Sequence, residues 1–199
     1  MTFDDIAPNV LPKLPGIGVP RLRHELLRAA QHVCRTARVW RIWTDATEVQ
    51  AAGEYDYELP TDSQIEVVEA LTVDGRYRTP TPWTLAPGAP EDLPLHKVVP
   101  GRLVFELSKD LPAPRQVRWR LSLAPTEKAT SLPDDIFLPW AALLSDGVLA
   151  RCMSDVGRPW SSGDAAAYLK LFEEGCDMAR KRTWHGYTDV VPRQRVQWC

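Results

Sequence analysis

The chain has 199 residues, 44% of them apolar and 25% charged, with a net charge of −2. That balance belongs to an ordinary soluble globular protein; it gives no global case for nucleic-acid binding and allows one large domain or one domain carrying an inserted module. No apolar run reaches the ~18 residues of a membrane span, and the acidic opening Met1-Thr2-Phe3-Asp4-Asp5 lacks a signal-peptide core, so the expected compartment is a cytoplasm.

Residues 1–19 read as an extended arm, because Pro8, Pro12 and Pro15, with Gly16 and Gly18, oppose a regular helix. Pro20 suits a first helical position, and Leu22, Leu26, Ala30, Val33 and Ala37 then recur at helical spacing, with Leu27 and Cys34 widening the stripe. Arg21, Arg23, Arg28, Arg35 and Arg38 decorate the other faces with Glu25. From Val39 to about Pro125 the period becomes two. Tyr55, Tyr57 and Leu59 alternate with acids; Ile65, Val67, Leu71 and Val73 share a face; Asp74-Gly75 marks a hairpin; Val117, Trp119, Leu121 and Leu123 alternate with Gln116, Arg118, Arg120 and Ser122. This predicts an antiparallel sheet with one buried face, interrupted by a Pro-rich loop over 79–100.

After Pro133 the helical period returns. Asp134 and Asp135 suit a helix start, and Phe137, Trp140, Ala141, Leu144, Val148 and Cys152 form one stripe, with Pro139 moving the true start toward Leu138. A last helix is expected over about 163–181 with the stripe Ala165, Tyr168, Leu169, Phe172, Cys176 and Ala179. Between the two helices, Gly157 is the expected C-cap, Pro159 keeps the helices apart, Trp160 folds back on the pair, and Ser161 or Ser162 caps the next helix. The predicted fold is α+β: a small helical bundle (20–38 and 132–183) with an inserted antiparallel β-module (39–131), an arm (1–19) and a tail (184–199).

No catalytic constellation emerges. His32 and Cys34 are two apart, a spacing that does not face on a helix. His24, His32, His96 and His185 form no metal-binding pattern, and Cys34, Cys152, Cys176 and Cys199 contain no C-x-x-C pair, so metals and cofactors are not expected and the thiols read as structural. Arg118 and Arg120 opposite Trp119, and the arginines of the first helix, read by default as a solvated face or a protein interface.

VPRLRHELLRAAQHVCRTARVWR (19–41) resembles the opening helix of head-to-tail adaptor proteins of tailed bacteriophages, also called head–tail connector or neck proteins. LPDDIFLPWAALLSDGVLARCMSDVGRPWSSGDAAAYLKLFEEGCDMAR (132–180) resembles their closing helix pair, with Gly157-Arg158-Pro159-Trp160 at the corner, and DSQIEVVEALTVDGR (62–76) resembles their first β-region. The resemblance implies a non-enzymatic structural virion protein of the neck, made in the host cytoplasm. It would sit beneath the portal protein as a homo-oligomeric ring, twelvefold in the family, and would extend the DNA channel and receive the next neck or tail protein. No membrane is involved. On that reading Trp184, Tyr187, Val190, Val191, Arg193, Arg195 and Trp198 are the expected partner-binding residues of an inserted tail. Arg21, Arg28, Arg35, Arg118 and Arg120 are expected at a subunit interface or beside channel DNA, and Gly157, Pro159, Trp160 and Ser162 form the helix-hairpin joint. The alternatives are another neck or tail component, such as a tail-completion or stopper protein, and, in a different class, a small hydrolase or DNA-binding regulator.

Overall fold

A computed structural model describes residues 1–82 and 93–185. The fold is α+β, with an N-terminal helix, two inserted sheets and a C-terminal helix pair. The chain divides into two compact units, Met1–Val39 with Ser131–Cys199, and Trp40–Thr130.

The first unit opens with a correction. Residues 1–19 are not an extended arm: a 3-10 turn at Phe3–Asp5, helix α1 (Ala7–Val10) and a second 3-10 turn at Leu11–Lys13 occupy most of it. Ile6, Val10 and Leu14 recur every four residues and are fully buried. Pro8 and Pro12 lie in the first two positions of their turns, where the missing N–H has no helical partner to lose. The Leu132 N–H donates to the Met1 carbonyl at 2.9 Å and joins this segment to the start of the later helices.

Helix α2 spans Val19–Ala37 with Pro20 at its start, and Leu22, Leu26, Ala30, Val33, Cys34 and Ala37 are buried. Glu25 is buried too, against expectation, because Arg21 Nε lies 3.1 Å from its carboxylate one turn away. The helix ends at Arg38, whose φ of 52° is left-handed and whose N–H closes on the Cys34 carbonyl at 3.0 Å. Another end carbonyl, that of Ala37, accepts the Thr183 hydroxyl at 2.7 Å.

Pro139 breaks the next helical segment into α3 (Asp134–Phe137), a 3-10 turn (Leu138–Trp140) and α4 (Ala141–Met153). The 20 residues Asp134–Met153 have the length and apolarity of a membrane span, which the sequence reading had not credited to any run; 61% of the apolar window is buried inside the protein, as a core helix requires. α4 is buried nearly all round, including Leu143, Leu144, Gly147, Val148, Leu149 and Cys152. Helix α5 (Ala165–His185) buries Phe172, Cys176 and Ala179, but Leu169, expected in the stripe, is 48% exposed. α5 also runs further than its sequence pattern suggested, so Trp184 belongs to the helix and not to a separate tail.

The corner between α4 and α5 differs in its caps. α4 is closed by Ser154, and Gly157 (φ 80°) turns the chain three residues later. Ser162 Oγ accepts the Asp164 N–H at 3.1 Å, which places it two residues ahead of the position expected of a cap. The Ser162 N–H returns to the Met153 carbonyl at 3.3 Å. Trp160 is half-buried, with the Arg158 guanidinium 5.9 Å from its ring centre.

The inserted unit holds two sheets where one was expected. The first contains β1 (Arg41–Trp43), β2 (Thr47–Val49), β4 (Ser63–Val73), β5 (Arg76–Arg78) and β9 (Arg115–Pro125), in the order β1-β9-β4-β5 with β2 also on β9. Thr44 bridges the gap between β1 and β2: its N–H donates to the Trp119 carbonyl at 2.9 Å and its hydroxyl accepts the Trp119 N–H at 3.0 Å. The second sheet, β3 (Gly53–Glu58), β8 (Arg102–Leu107), β7 (Leu95–Val99) and β6 (Thr81–Pro82), is ordered β3-β8-β7-β6 and includes one parallel pair, β6 with β7. Both β6 and β7 fall in the stretch read as a loop, because its prolines masked two short strands. Phe105 of β8 and His96 of β7 meet Trp119 of β9 at ring distances of 5.5 and 5.4 Å, so the two sheets share a core.

β4 does not present Ile65, Val67, Leu71 and Val73 on one face, as strict alternation predicts. Register shifts at Ile65/Val67 and Val68/Ala70 place Val68 opposite Leu121 and Val67 opposite Ser122. The inward set is therefore Ile65, Val68, Leu71 and Val73, because each bulge reverses the side-chain alternation downstream of it. The Asp74-Gly75 hairpin is present, with φ of 50° and 74°.

α4 and α5 approach over two glycines. A Cβ on Gly147 would lie 2.6 Å from Phe172 Cε2 and within 3.0 Å of two further atoms of that ring, whereas a Cβ on Gly175 would strike only the flexible end of Leu143, at 2.5 Å. Gly147→Ala is therefore expected to destabilise the protein by about 1–2 kcal/mol despite the better helix propensity of Ala, and Gly175→Ala to be close to neutral. Urea unfolding checks this, and a stabilised Gly147→Ala variant would contradict the packing described.

Candidate functional site

Two features of the helical unit stand out: a groove and a helix surface. The groove encloses about 300 Å³ and is floored by Gly147, Ala150, Ala165, Leu169 and Phe172, with His32, Arg151 and Glu173 at its edge. Gly147 makes room for Phe172 to lie across α4, and the His32 ring stands 5.2 Å from the Phe172 ring. Burial, reinforced by the Arg151 and Arg35 charges, lowers the His32 pKa below its usual 6.5, and Glu173 opposes the shift. The imidazole is therefore neutral near pH 7. An apolar floor with His32, Arg151, Ser154 and Glu173 around it suits an inserted apolar side chain.

The helix surface is that of α5. Around the buried line of Phe172, Cys176 and Ala179, the 3.6-residue turn places Leu169 and Trp184 on one flank and Leu171 and Met178 on the other. Their exposures are 48%, 66%, 51% and 57%. Acids (Glu173, Glu174, Asp177) precede bases (Arg180, Lys181, Arg182) along the helix, linked by Asp177–Arg180 at 3.0 Å. Leu171 and Met178 escaped the sequence reading because a search for one buried stripe passes over apolar residues outside it.

The structure distributes the sequence-derived residues as follows. Arg21 bridges Glu25 and Asp155, at 3.1 and 2.8 Å, and so ties the first turn of α2 to the corner after α4. Arg28 and Arg35 are exposed on α2. Arg118 donates through Nε to the Thr44 carbonyl at 3.1 Å and lies 5.8 Å from the Trp43 ring. Arg120 pairs with Glu69 at 3.1 Å, and the same carboxylate accepts Arg41 at 2.9 Å. Gly157, Pro159, Trp160 and Ser162 lie in the connection between α4 and α5. Trp184 is exposed on α5, while Tyr187, Val190, Val191, Arg193, Arg195 and Trp198 lie outside the described residues.

Among the described residues, no three His, Cys, Asp or Glu side chains gather in a way that could hold a metal ion. Cys34, Cys152 and Cys176 are buried. Burial, aided by Glu25, pushes the Cys152 thiol up to about 12, and burial with Asp177 and Glu173 pushes Cys176 up to about 11. These groups are protonated and poor nucleophiles. No family model and no curated protein matches the chain.

A Cys199→Ser variant is expected to show no fast labelling by a thiol reagent until it is unfolded; rapid labelling of a native thiol would contradict the buried placement. His96, buried against Trp119, also has a lowered pKa, caused by burial and opposed by a hydrogen bond to the Thr81 backbone. Because both His32 and His96 titrate below 6.5 when folded, the unfolded chain binds more protons as the medium becomes acid. The stability these neutral imidazoles contribute is complete above about pH 6.5 and is lost as pH falls through their folded values. The urea midpoint should therefore drop between about pH 7.5 and about pH 5, and drop less in a His32→Gln/His96→Gln double variant. A midpoint that is flat or rises toward acid would contradict the assignment.

Proposed function

We propose that the chain is a head-to-tail adaptor of a tailed bacteriophage: a non-enzymatic subunit that docks on the portal protein, assembles into a ring, extends the DNA channel and receives the next neck or tail component. The observation that carries the reading is the pair of apolar flanks on α5. A subunit of a closed ring meets its neighbours through two different faces, and a helix that buries one line while exposing apolar side chains on both sides of it has that form. Leu171 and Met178 on one flank, and Leu169 and Trp184 on the other, are about half exposed, and covering each recovers on the order of 1 kcal/mol. The groove beside Leu169 offers a neighbouring subunit an apolar seat. The resemblance of α2 and of the α4–α5 pair to the helices of phage adaptors selects the adaptor from among ring-forming proteins.

Electron microscopy of the purified protein with and without the portal of the same genome tests the proposal. Rings are expected chiefly with the portal. Leu171→Glu or Met178→Glu is expected to remove them while leaving the helical circular-dichroism signal intact, because both side chains are exposed in the subunit. Absence of any association with the portal, or rings that form equally well in the Leu171→Glu variant, would contradict it.

A further inference from the structure

The inserted unit carries a second feature, independent of the adaptor reading. On the outer face of the first sheet a groove of about 300 Å³ is lined by Trp43, Thr72, Gly75, Tyr77, Gln116 and Arg118. Register builds it: Thr72 of β4 stands between Arg118 of β9 and Tyr77 of β5, and Trp43 of β1 lies beyond β9 opposite Arg120. The Trp43 and Tyr77 rings approach edge to face, with centroids 6.1 Å apart and planes at 63°. Tyr77 is 70% exposed.

The charge of this groove is not cancelled locally. Glu69 is engaged by Arg41 and Arg120. Asp74 accepts the Gln116 N–H at 2.9 Å and faces Arg115 at 4.0 Å, and Glu48 accepts the Gln116 side-chain amide at 3.2 Å. Arg118 has no carboxylate within ion-pair distance among the described residues; its Nε is fixed on the Thr44 carbonyl, and its guanidinium is held beside the Trp43 ring. Arg76 and Arg78 alternate to the other side of β5 but stay exposed because β5 is an edge strand, so successive side chains along that edge are cationic, aromatic and cationic.

We propose that this groove binds single-stranded nucleic acid, with a base stacked on the exposed Tyr77–Trp43 surface and a phosphate at Arg118. A nucleotide presents a flat ring and an anion a few ångströms apart, which matches the ring and guanidinium held here. An acidic peptide would use the arginine and leave the aromatic surface unoccupied. A cationic groove combined with stacking side chains is the general means of holding a single strand without reading its sequence. The acidic balance of the whole chain does not oppose this, because Glu69 and Asp74 beside the groove face arginines and Glu48 is engaged by the Gln116 amide.

The test is fluorescence anisotropy of the full-length protein with labelled oligothymidine and oligouridine of about 15 nucleotides at low salt, with polyglutamate as competitor. Binding is expected that weakens with added salt and falls roughly tenfold in Tyr77→Ala and in Arg118→Ala. Tyr77→Phe, which keeps the ring, should bind as the parent does. So should Arg102→Ala, whose arginine pairs with Asp56 on the second sheet. Absence of binding at low salt would overturn the proposal, as would binding indifferent to Tyr77→Ala. Displacement of the oligonucleotide by polyglutamate as readily as by unlabelled oligonucleotide would overturn it in favour of an acidic-peptide site.

Discussion

An insertion must leave its host and return to it at neighbouring points, and the antiparallel pairing of β1 with β9 meets that requirement. Arg41 lies opposite Ser122 and Ile42 opposite Leu121, so the first and last strands of the insert run side by side. The Leu123 N–H donates to the Trp40 carbonyl at 2.8 Å and extends the clamp by one residue. With the ends of the insert fixed in this way, α2 (ending at Ala37) and the α3–α5 segment (beginning at Asp134) can form one core at a small loop-closure cost.

Within the helical unit, α4 is the element the others pack on, with α1, α2 and α5 around it. Its apolarity on nearly every face is what burial by three partners demands. Gly147 then sets how closely Phe172 can approach, and that approach shapes the groove beside His32. α5 needs only one of its faces for this core, which leaves Leu169, Leu171, Met178 and Trp184 exposed on its two flanks. The β-unit has its own centre at Phe105 and Trp119, while Trp43, Tyr77 and Arg118 line the groove on the opposite side of the first sheet. The two proposals thus fall on separate units: a docking surface on the helices, and an anion-seeking groove on a sheet.

How much was legible in the sequence depended on whether a single periodicity ran long enough. α2 and most of α5 were readable because their apolar stripes recur over several turns, and β9 because Val117, Trp119, Leu121 and Leu123 alternate without interruption. The opening residues were misread because proline was weighed as a breaker when Pro8 and Pro12 start short turns. Val67 was placed inward in β4 because a bulge leaves no mark in the alternation of residue types. The second sheet was missed where β6 and β7 are too short to show a period. Among the candidate site residues, Arg118 and Arg120 were legible as a charged face. Their partners were not: Glu69 sits at a bulge, and Trp43 and Tyr77 come together only through the strand order. The flanks of α5 became visible only after the buried line was known, since composition does not distinguish an exposed Leu from a buried one.

The most direct test of this account is to ask whether the helical core stands without the insert. Residues 41–130 would be replaced by a Gly/Ser linker of about ten residues, and the far-ultraviolet circular dichroism and urea unfolding of the shortened chain measured. A helical spectrum with a single cooperative transition is the predicted result. A chain that unfolds without cooperativity, or that binds hydrophobic dyes as a loosely packed globule, would contradict the division of the protein into two self-sufficient cores.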